Sequence, residues 1–272
     1  MKKDITVPRN ARTVAIGAAL QAARIIMDYF GKTVQIDAKQ HHDFVTEVDR
    51  RSEETIIQYI HRAFPDHEIL AEESGRHTNV SPYRWIIDPL DGTTNFIHGM
   101  PMFAVSIALE VEGDLKVGVV YEPIRKEMFV AEKGKGAFLN DRKIAVSKTS
   151  EHAHCLLATG FPFRNFDMLD DYLRLFKFFM MHVSGIRRPG SAALDLCYLA
   201  CGRFDGFWEL NLNPWDMAAG ALMIKEAGGT ITRFNGGDGF LYRGHVIGSN
   251  GLIQSWMLDA AREAFKEKTD EL

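Results

Sequence analysis

The chain has 272 residues, of which 46% are hydrophobic, 11% aromatic and 25% charged, so a disordered, collagenous or small disulfide-stapled protein is excluded. A formal net charge of -4 gives no global attraction to phosphate polymers or anionic membranes, and nucleic acid is disfavoured as the main partner. Three cysteines, Cys155, Cys197 and Cys201, fit a reducing cytoplasm better than a disulfide framework.

The N-terminal apolar stretch is broken by Arg12, Gln21 and Arg24 and lacks a cleavage site. Nowhere do about 18 apolar residues run without a charge, so neither a signal peptide nor a membrane span is expected. Val14, Ala18, Ala22, Ile25, Ile26 and Tyr29 recur at helical spacing before Gly31, which predicts an amphipathic helix over about 10–30. A second helix is predicted over about 47–63, with Thr46 as its N-cap, Ile56, Ile57, Ile60 and Phe64 on one side, and Pro65-Asp66 as its stop.

Residues 67–71 and 84–88 are strand-like runs, each ending in carboxylates. Residues 104–111 and 115–121, joined through Glu112, Gly113 and Asp114, read as an antiparallel hairpin, and 126–132 adds a third strand. The part up to about residue 150 is thus α+β, with helices beside an antiparallel sheet.

From about residue 151 strands and helices alternate: strands at 155–159, 186, 204–209, 230–233 and 246–249, helices at 167–181, 191–200, 215–226 and from 252. That pattern predicts a more parallel α/β unit. No Pro- or Ser-rich linker intervenes, so residues 1–272 read as a single domain with two subdomains.

The chemically informative positions are acidic residues at strand ends and helix starts: Glu72 and Glu73 in ILAEESG, Asp88 and Asp91 in WIIDPLDGTTNF, and Asp216 in NPWDMAAG. Two carboxylates three positions apart across a Pro-containing turn converge on one point, with the Leu90 carbonyl between them as a third oxygen. Oxygen-only ligands select Mg²⁺, Mn²⁺ or Ca²⁺ over zinc, and Mg²⁺ commonly borrows oxygens from a substrate phosphate. Gly92, Thr93 and Thr94 follow at once as the start of a short helix whose free N–H groups suit an anion.

Asp-Pro-x-Asp-Gly is also a common surface turn, and acidic residues mostly lie in solvent. Against that, Asp88 ends the apolar run Trp85-Ile86-Ile87, which places it inside. Two unit charges about 4 Å apart repel by about 4 kcal/mol at an effective dielectric of 20, so such a cluster calls for cations.

Other motifs carry no chemistry. Gly31-Lys32-Thr33 follows a helix, and Ile26 stands where a P-loop needs glycine, so it reads as a helix stop. Gly134-Lys135-Gly136 reads as a solvated β-turn. Cys197 and Cys201 have no second Cys or His pair nearby and read as small core residues. Zinc-protease, serine-hydrolase and Cys-x-x-Cys motifs are absent. Asp88 and Asp91 are separated by two residues, not the single residue of haloacid dehalogenase-type phosphatases, which disfavours a covalent aspartyl intermediate.

Four segments carry a resemblance to a known family: DFVTEVD at 43–49, ILAEESG at 69–75, WIIDPLDGTTNFIHGMPMFAVSIAL at 85–109, and RRPGSAALDL through NPWDMAAGALMIKEAGG at 187–229. Over nearly its whole length the chain resembles the inositol monophosphatase family of metal-dependent phosphatases, most closely the bacterial inositol-1-monophosphatases. The resemblance implies a layered αβαβα sandwich, usually a homodimer, that hydrolyses small phosphate monoesters, myo-inositol 1-phosphate foremost. It also implies Mg²⁺, as two or three ions, with Mn²⁺ as a substitute and Li⁺ as an inhibitor.

By that resemblance Glu72, Asp88 and the Leu90 carbonyl hold a first cation, and Asp88, Asp91 and Asp216 a second. Asp49 hydrogen-bonds Thr93, a pair that with Glu72 helps activate a water for direct attack on phosphorus. Gly92, Thr93 and Thr94 cradle the phosphate, while Asp91, the main chain around Ser191 and Ala192, and Glu209 meet substrate hydroxyls. Glu73 matches an acidic neighbour of the metal site, and Lys39 a family lysine with its spacing shifted by one residue. Trp215 is expected to pack behind Asp216.

Gly160-Phe161-Pro162 follows the bacterial branch, and Arg187 and Arg188 are expected at a dimer interface or the substrate mouth. Related phosphatases acting on fructose 1,6-bisphosphate, phosphoadenosine phosphate or histidinol phosphate share the metal core and are the alternative. A regulatory or RNA-associated binding role is the rival from another class. The complete acidic set and the lack of a basic, aromatic-laced stripe favour catalysis.

Overall fold

The computed structural model describes residues 6–40, 43–77, 81–163, 166–266 and 268. Helix α1 (Ala11–Tyr29) and helix α2 (Glu47–Ala63) flank a small hairpin of β1 (Ile36–Gln40) and β2 (Asp43–Thr46). Thr46 caps α2 in a capping box: its hydroxyl accepts from Val48 and Asp49 N–H, and Asp49 accepts from the Thr46 N–H. Two donors that the helix leaves without partners are thereby satisfied. The buried face of α1 is mostly alanine, so α2 can come close. At Gly17 the space of a Cβ is filled by the Tyr59 ring.

Strands β3 (Glu68–Ala71), β4 (Gly75–His77) and β5 (Tyr83–Asp91) lead through helix α3 (Thr93–Ile97) to β6 (Ala104–Val111) and β7 (Asp114–Glu122). With β8 (Glu127–Glu132), β9 (Gly136–Leu139) and β10 (Arg142–Lys143) they form an eight-stranded sheet of order β10-β9-β8-β7-β6-β5-β3-β4. Among the described residues only β3 and β5 pair parallel in it. Glu112 and Gly113, at φ 49° and 83°, make the β6–β7 turn, the two-residue type that matches strand twist.

The expected solvated turn at Gly134-Lys135-Gly136 is corrected at its end: Gly136 opens β9. The Glu226 carboxylate, from the other half of the chain, accepts the N–H groups of Gly134 and Gly136 at 2.8 Å each and pins the turn.

Beyond residue 150 come β11 (Leu156–Thr159), α4 (Leu169–His182), β12 (Gly185–Arg187), α5 (Ala192–Ala200), β13 (Gly206–Glu209) and α6 (Pro214–Glu226). They are followed by β14 (Thr230–Thr232), α7 (Phe240–Arg243), β15 (Val246–Ser249) and α8 (Gln254–Phe265). The second sheet has order β12-β11-β13-β15-β14. Its first three strands are parallel, as expected, but β15 runs antiparallel to both β13 and β14. Residues 233–245, which carry α7, return the chain antiparallel beside β14.

The elements stack in five layers, αβαβα. Helices α1 and α2 bury Val14, Ile56 and Ile60 against Trp85, Ile87 and Ile107 on one face of the large sheet. Helices α5 and α6 fill the space between the sheets, and α4 and α8 cover the outer face of the small one. The middle helices are buried nearly all round, as their apolar sequences require. A Cβ on Gly118 of β7 would lie 2.9 Å from the Ala219 carbonyl, so this glycine lets α6 rest on the sheet backbone. No helix among the described residues is long and apolar enough to cross a membrane.

Candidate active site

A cavity of about 370 Å³ opens where β5 ends and the first turns of α3, α5 and α6 converge. At its base one carboxylate oxygen each from Asp88, Asp91 and Asp216 lies within 4.8 Å of the other two. The convergence has local causes. Strand β5 pairs with β6 up to Asp88↔Ser106, slips across Pro89-Leu90, and resumes at Asp91↔Ala104. Asp88 is buried at 1% exposure, as its place after Trp85-Ile86-Ile87 requires, and its Oδ1 accepts the Leu90 N–H at 3.0 Å. Asp216 sits in the first turn of α6 after Pro214, and its Oδ2 accepts the Asn213 N–H at 2.6 Å.

Asp91 ties the two halves together. Its Oδ2 accepts from the Ser191 hydroxyl at 2.5 Å and from the Ala193 N–H at 2.8 Å, at the start of α5. Gly92 then turns the chain at φ 93°, where a Cβ would lie 2.8 Å from the Met102 carbonyl. Only glycine lets α3 begin directly after Asp91. The Thr93 hydroxyl lies 2.8 Å from Asp49 Oδ1 and 3.0 Å from the Leu90 carbonyl.

Burial pushes the Asp88 carboxyl well above the usual carboxylate range, and Glu72, Asp91 and Asp216 push it the same way. Burial and Asp216 lift Asp91 to about 7, against the pull of the Ser191 hydroxyl and the Ala193 N–H. Burial raises Asp49 too, opposed by its hydrogen bonds from Thr46 and Thr93. A set of hard oxygen donors that repel one another in a buried place fits a hard divalent cation.

Of the residues singled out in the sequence, Glu72, Asp88, Leu90, Asp91, Gly92, Thr93, Thr94, Ser191, Ala192, Glu209 and Asp216 line this cavity. Asp49 stands behind Thr93, with its Oδ2 on the Thr46 N–H and hydroxyl. Glu73 instead lines a groove beside α2, where its N–H donates to Glu53 Oε2 at 2.7 Å. Lys39 is in β1, and its side chain falls outside the described residues. Trp215 packs against the middle-layer core, and its carbonyl is 3.3 Å from the Ser106 hydroxyl. Arg188 lies at the cavity over the rings of Phe161 and Phe163, 5.5 and 5.4 Å from their centroids, while Arg187 is exposed and donates to the Ile186 carbonyl.

Sequence reasoning missed Asp195 and Asn211 in the same wall. Asp195 is buried in the first turn of α5, and its Oδ1 has no hydrogen-bond partner among the described residues. Burial, then Glu209 and Asp91, raise its carboxyl well above the usual range, against the pull of Arg188. A lone acid inside the apolar run AALDLCYLA was the available signal. Asn211 adopts φ 61°, and its buried Nδ2 likewise has no partner among the described residues.

A five-layered sandwich with this acidic cavity at its middle layer places the chain in the αβαβα phosphatase fold. It superposes on the crystal structure of the extragenic suppressor protein suhB from Bartonella henselae with a TM-score of 0.89 and 44% identity, covering 92% of this chain and 98% of that one. The model of the Inositol monophosphatase family matches residues 8–266, and the chain belongs to that family. The chain is 47% identical over 247 residues to a putative Nus factor SuhB of Neisseria meningitidis serogroup B, covering 90% of this chain and 95% of that protein. It is 42% identical over 253 residues to an inositol-1-monophosphatase of Mesorhizobium japonicum, covering 92% and 95%.

Proposed function

We propose that the protein hydrolyses small phosphate monoesters, myo-inositol 1-phosphate foremost, in a Mg²⁺-dependent reaction in which water attacks phosphorus directly. The observation that carries this reading is the convergence of Asp88, Asp91 and Asp216 within 4.8 Å in one cavity. Glu72, Asp88, the Leu90 carbonyl, Asp91 and Asp216 would hold the cations, two or three in number, with Mn²⁺ as a substitute and Li⁺ as an inhibitor. When bound, Mg²⁺ supplies neutralising charge and Lewis acidity at the phosphate.

The chain's own residues do the rest. Thr93, held by Asp49, and Glu72 orient the attacking water, Glu72 accepts its proton, and the leaving alkoxide takes up a proton from solvent as the P–O bond breaks. The start of α3 at Gly92, Thr93 and Thr94 faces the phosphate oxygens. Asp91, the main chain at Ser191 and Ala192, and Glu209 receive hydroxyls of the leaving group. No side chain serves as nucleophile.

Phosphate release measured by kcat/KM on inositol 1-phosphate, fructose 1,6-bisphosphate, phosphoadenosine phosphate and histidinol phosphate, with Mg²⁺ and with EDTA, tests the reading. Inositol 1-phosphate should rank first, and EDTA should abolish turnover. Release from none of the esters contradicts a phosphatase, and a different first rank assigns one of the alternative substrates. We also assign the protein to the cytoplasm and to a homodimer with Arg187 at its interface; sedimentation of the Arg187→Ala variant as a monomer is the expected result.

The likeness to proteins called Nus factor SuhB favours a second, coexisting role, regulatory or RNA-associated, on the surface. A pull-down from lysate with the Asp216→Asn variant tests it apart from catalysis. Recovery of RNA or transcription proteins supports the role, and recovery of neither contradicts it.

A further inference from the structure

Strands β11 and β13 are parallel, with Thr159 opposite Trp208, so the next residues, Gly160 and Glu209, stand side by side in the cavity wall. The Glu209 side chain folds across Gly160 so closely that a Cβ there would overlap its Oε1, Cδ and Oε2. Gly160 does not have the positive φ that calls for glycine elsewhere in the chain. What it supplies is room, not conformational freedom.

The strand end beneath is fixed. The Thr159 hydroxyl lies 2.8 Å from the Trp208 carbonyl, 2.9 Å from the Tyr172 hydroxyl and 3.1 Å from the Gly160 carbonyl. A methyl group at position 160 would therefore displace the end of the Glu209 side chain and leave the backbone in place.

We propose that Gly160 is a positioning residue: by lacking a side chain it lets the Glu209 carboxylate lie against the strand end and face the leaving group. It thereby sets the preference for leaving groups that carry hydroxyls. The proposal rests on the phosphatase reading of this cavity, with Glu209 as the acceptor for those hydroxyls.

The test compares wild type, Gly160→Ala, Glu209→Gln and the double variant on inositol 1-phosphate and on p-nitrophenyl phosphate, whose leaving group has no further hydroxyl. Loss of a hydrogen bond to a charged group predicts that Gly160→Ala lowers the ratio of the two kcat/KM values about tenfold or more, through KM for the inositol ester. In the Glu209→Gln background the same change should move the ratio less than about twofold, because both act through one carboxylate.

An unchanged ratio in Gly160→Ala, or an equal drop in both backgrounds, overturns the proposal. So does a Gly160→Ala protein that fails to fold, since the strand and not the carboxylate would then have given way. A wild type that releases phosphate from neither ester defeats the phosphatase reading itself. A wild type that cleaves both, with a ratio indifferent to position 160, defeats only the positioning role.

Discussion

The Thr93 hydroxyl lies 2.8 Å from Oδ1 of Asp49, the residue whose other oxygen closes the capping box of α2. One buried carboxylate thus serves a helix start and the cavity wall, and substitutions can separate the two tasks. Thr46→Ala removes the cap hydroxyl and should cost about 1 kcal/mol, leaving Asp49 on Thr93 and turnover within about twofold of wild type. Asp49→Ala leaves the Thr46 N–H without its acceptor and the Thr93 hydroxyl with the Leu90 carbonyl alone. It should cost about 2–3 kcal/mol and lower kcat about 100-fold, because the Thr93 hydroxyl that orients the water loses its hold. Urea unfolding and phosphate-release kinetics on both variants check this; equal losses of turnover would mean that the cap alone matters.

The acidic triad predicts opposite effects on activity and stability. Asp91→Asn and Asp216→Asn keep the shape, and the new amide oxygens can still accept from Ala193 and Asn213. Turnover with Mg²⁺ should fall on the order of 1,000-fold, because electrostatic stabilisation of the transferred phosphate is lost. Without metal, removal of one buried charge relieves repulsion, so the melting temperature in EDTA should stay level or rise. Phosphatase turnover retained in both variants would remove these residues from the reaction.

Gly92 is held at φ 93°, with the Met102 carbonyl and the Phe103 Cα in the way of any side chain. Gly92→Ala should therefore destabilise the protein by about 2 kcal/mol or more, since the strained backbone and the overlap add. It should also lower kcat/KM for every phosphate ester alike, because the start of α3 is common to all of them. Calorimetry and a two-ester comparison check the pair of effects, and a variant as stable as wild type would show that α3 can begin without glycine.

The parts of the fold that build the base of the cavity are those whose causes lie close together in the chain. Thr46 with Asp49 three residues on announces a cap, and Trp85-Ile86-Ile87 carries Asp88 inward by burial of its neighbours. Strands β1, β2, β4, β9 and β10 escaped notice because they are short and lack an apolar alternation. Arg142 and Lys143 are exposed and form a strand only because β9 offers a partner. The leaving-group wall was partly hidden for a different reason. Asp91 meets Ala193 across 102 positions, and Gly160 meets Glu209 only because β11 pairs with β13. Asp195 stands in the first turn of a helix, where an acid's charge is favourable, and its burial depends on the layers around α5.

The same buried carboxylates fix how stability should respond to pH and to Mg²⁺. Asp88 is raised by burial and by its acidic neighbours, and Asp91 reaches about 7. In the metal-free protein the folded chain therefore holds more protons than the unfolded chain between the ordinary carboxylate range, about 4, and about 7. Stability contributed by these groups is present below that window and is lost as pH rises through it. Glu127, held low by Arg203, and Glu68, held low against burial by Arg84 and Arg76, act with the opposite sign, and their contribution is lost only on acidification below about pH 4.5. The melting temperature in EDTA should thus decline from about pH 5 to pH 7.5. Mg²⁺ at 100 times its dissociation constant should add about 2.7 kcal/mol, on the order of 5 °C for a chain of this length. Cation binding needs the deprotonated carboxylates, so the gain should grow over the interval in which the metal-free protein weakens. Calorimetry across pH 5–8 with EDTA and with Mg²⁺ decides it: a melting temperature that climbs with pH in EDTA, or one that Mg²⁺ leaves untouched at pH 8, would contradict a cation site built from these side chains.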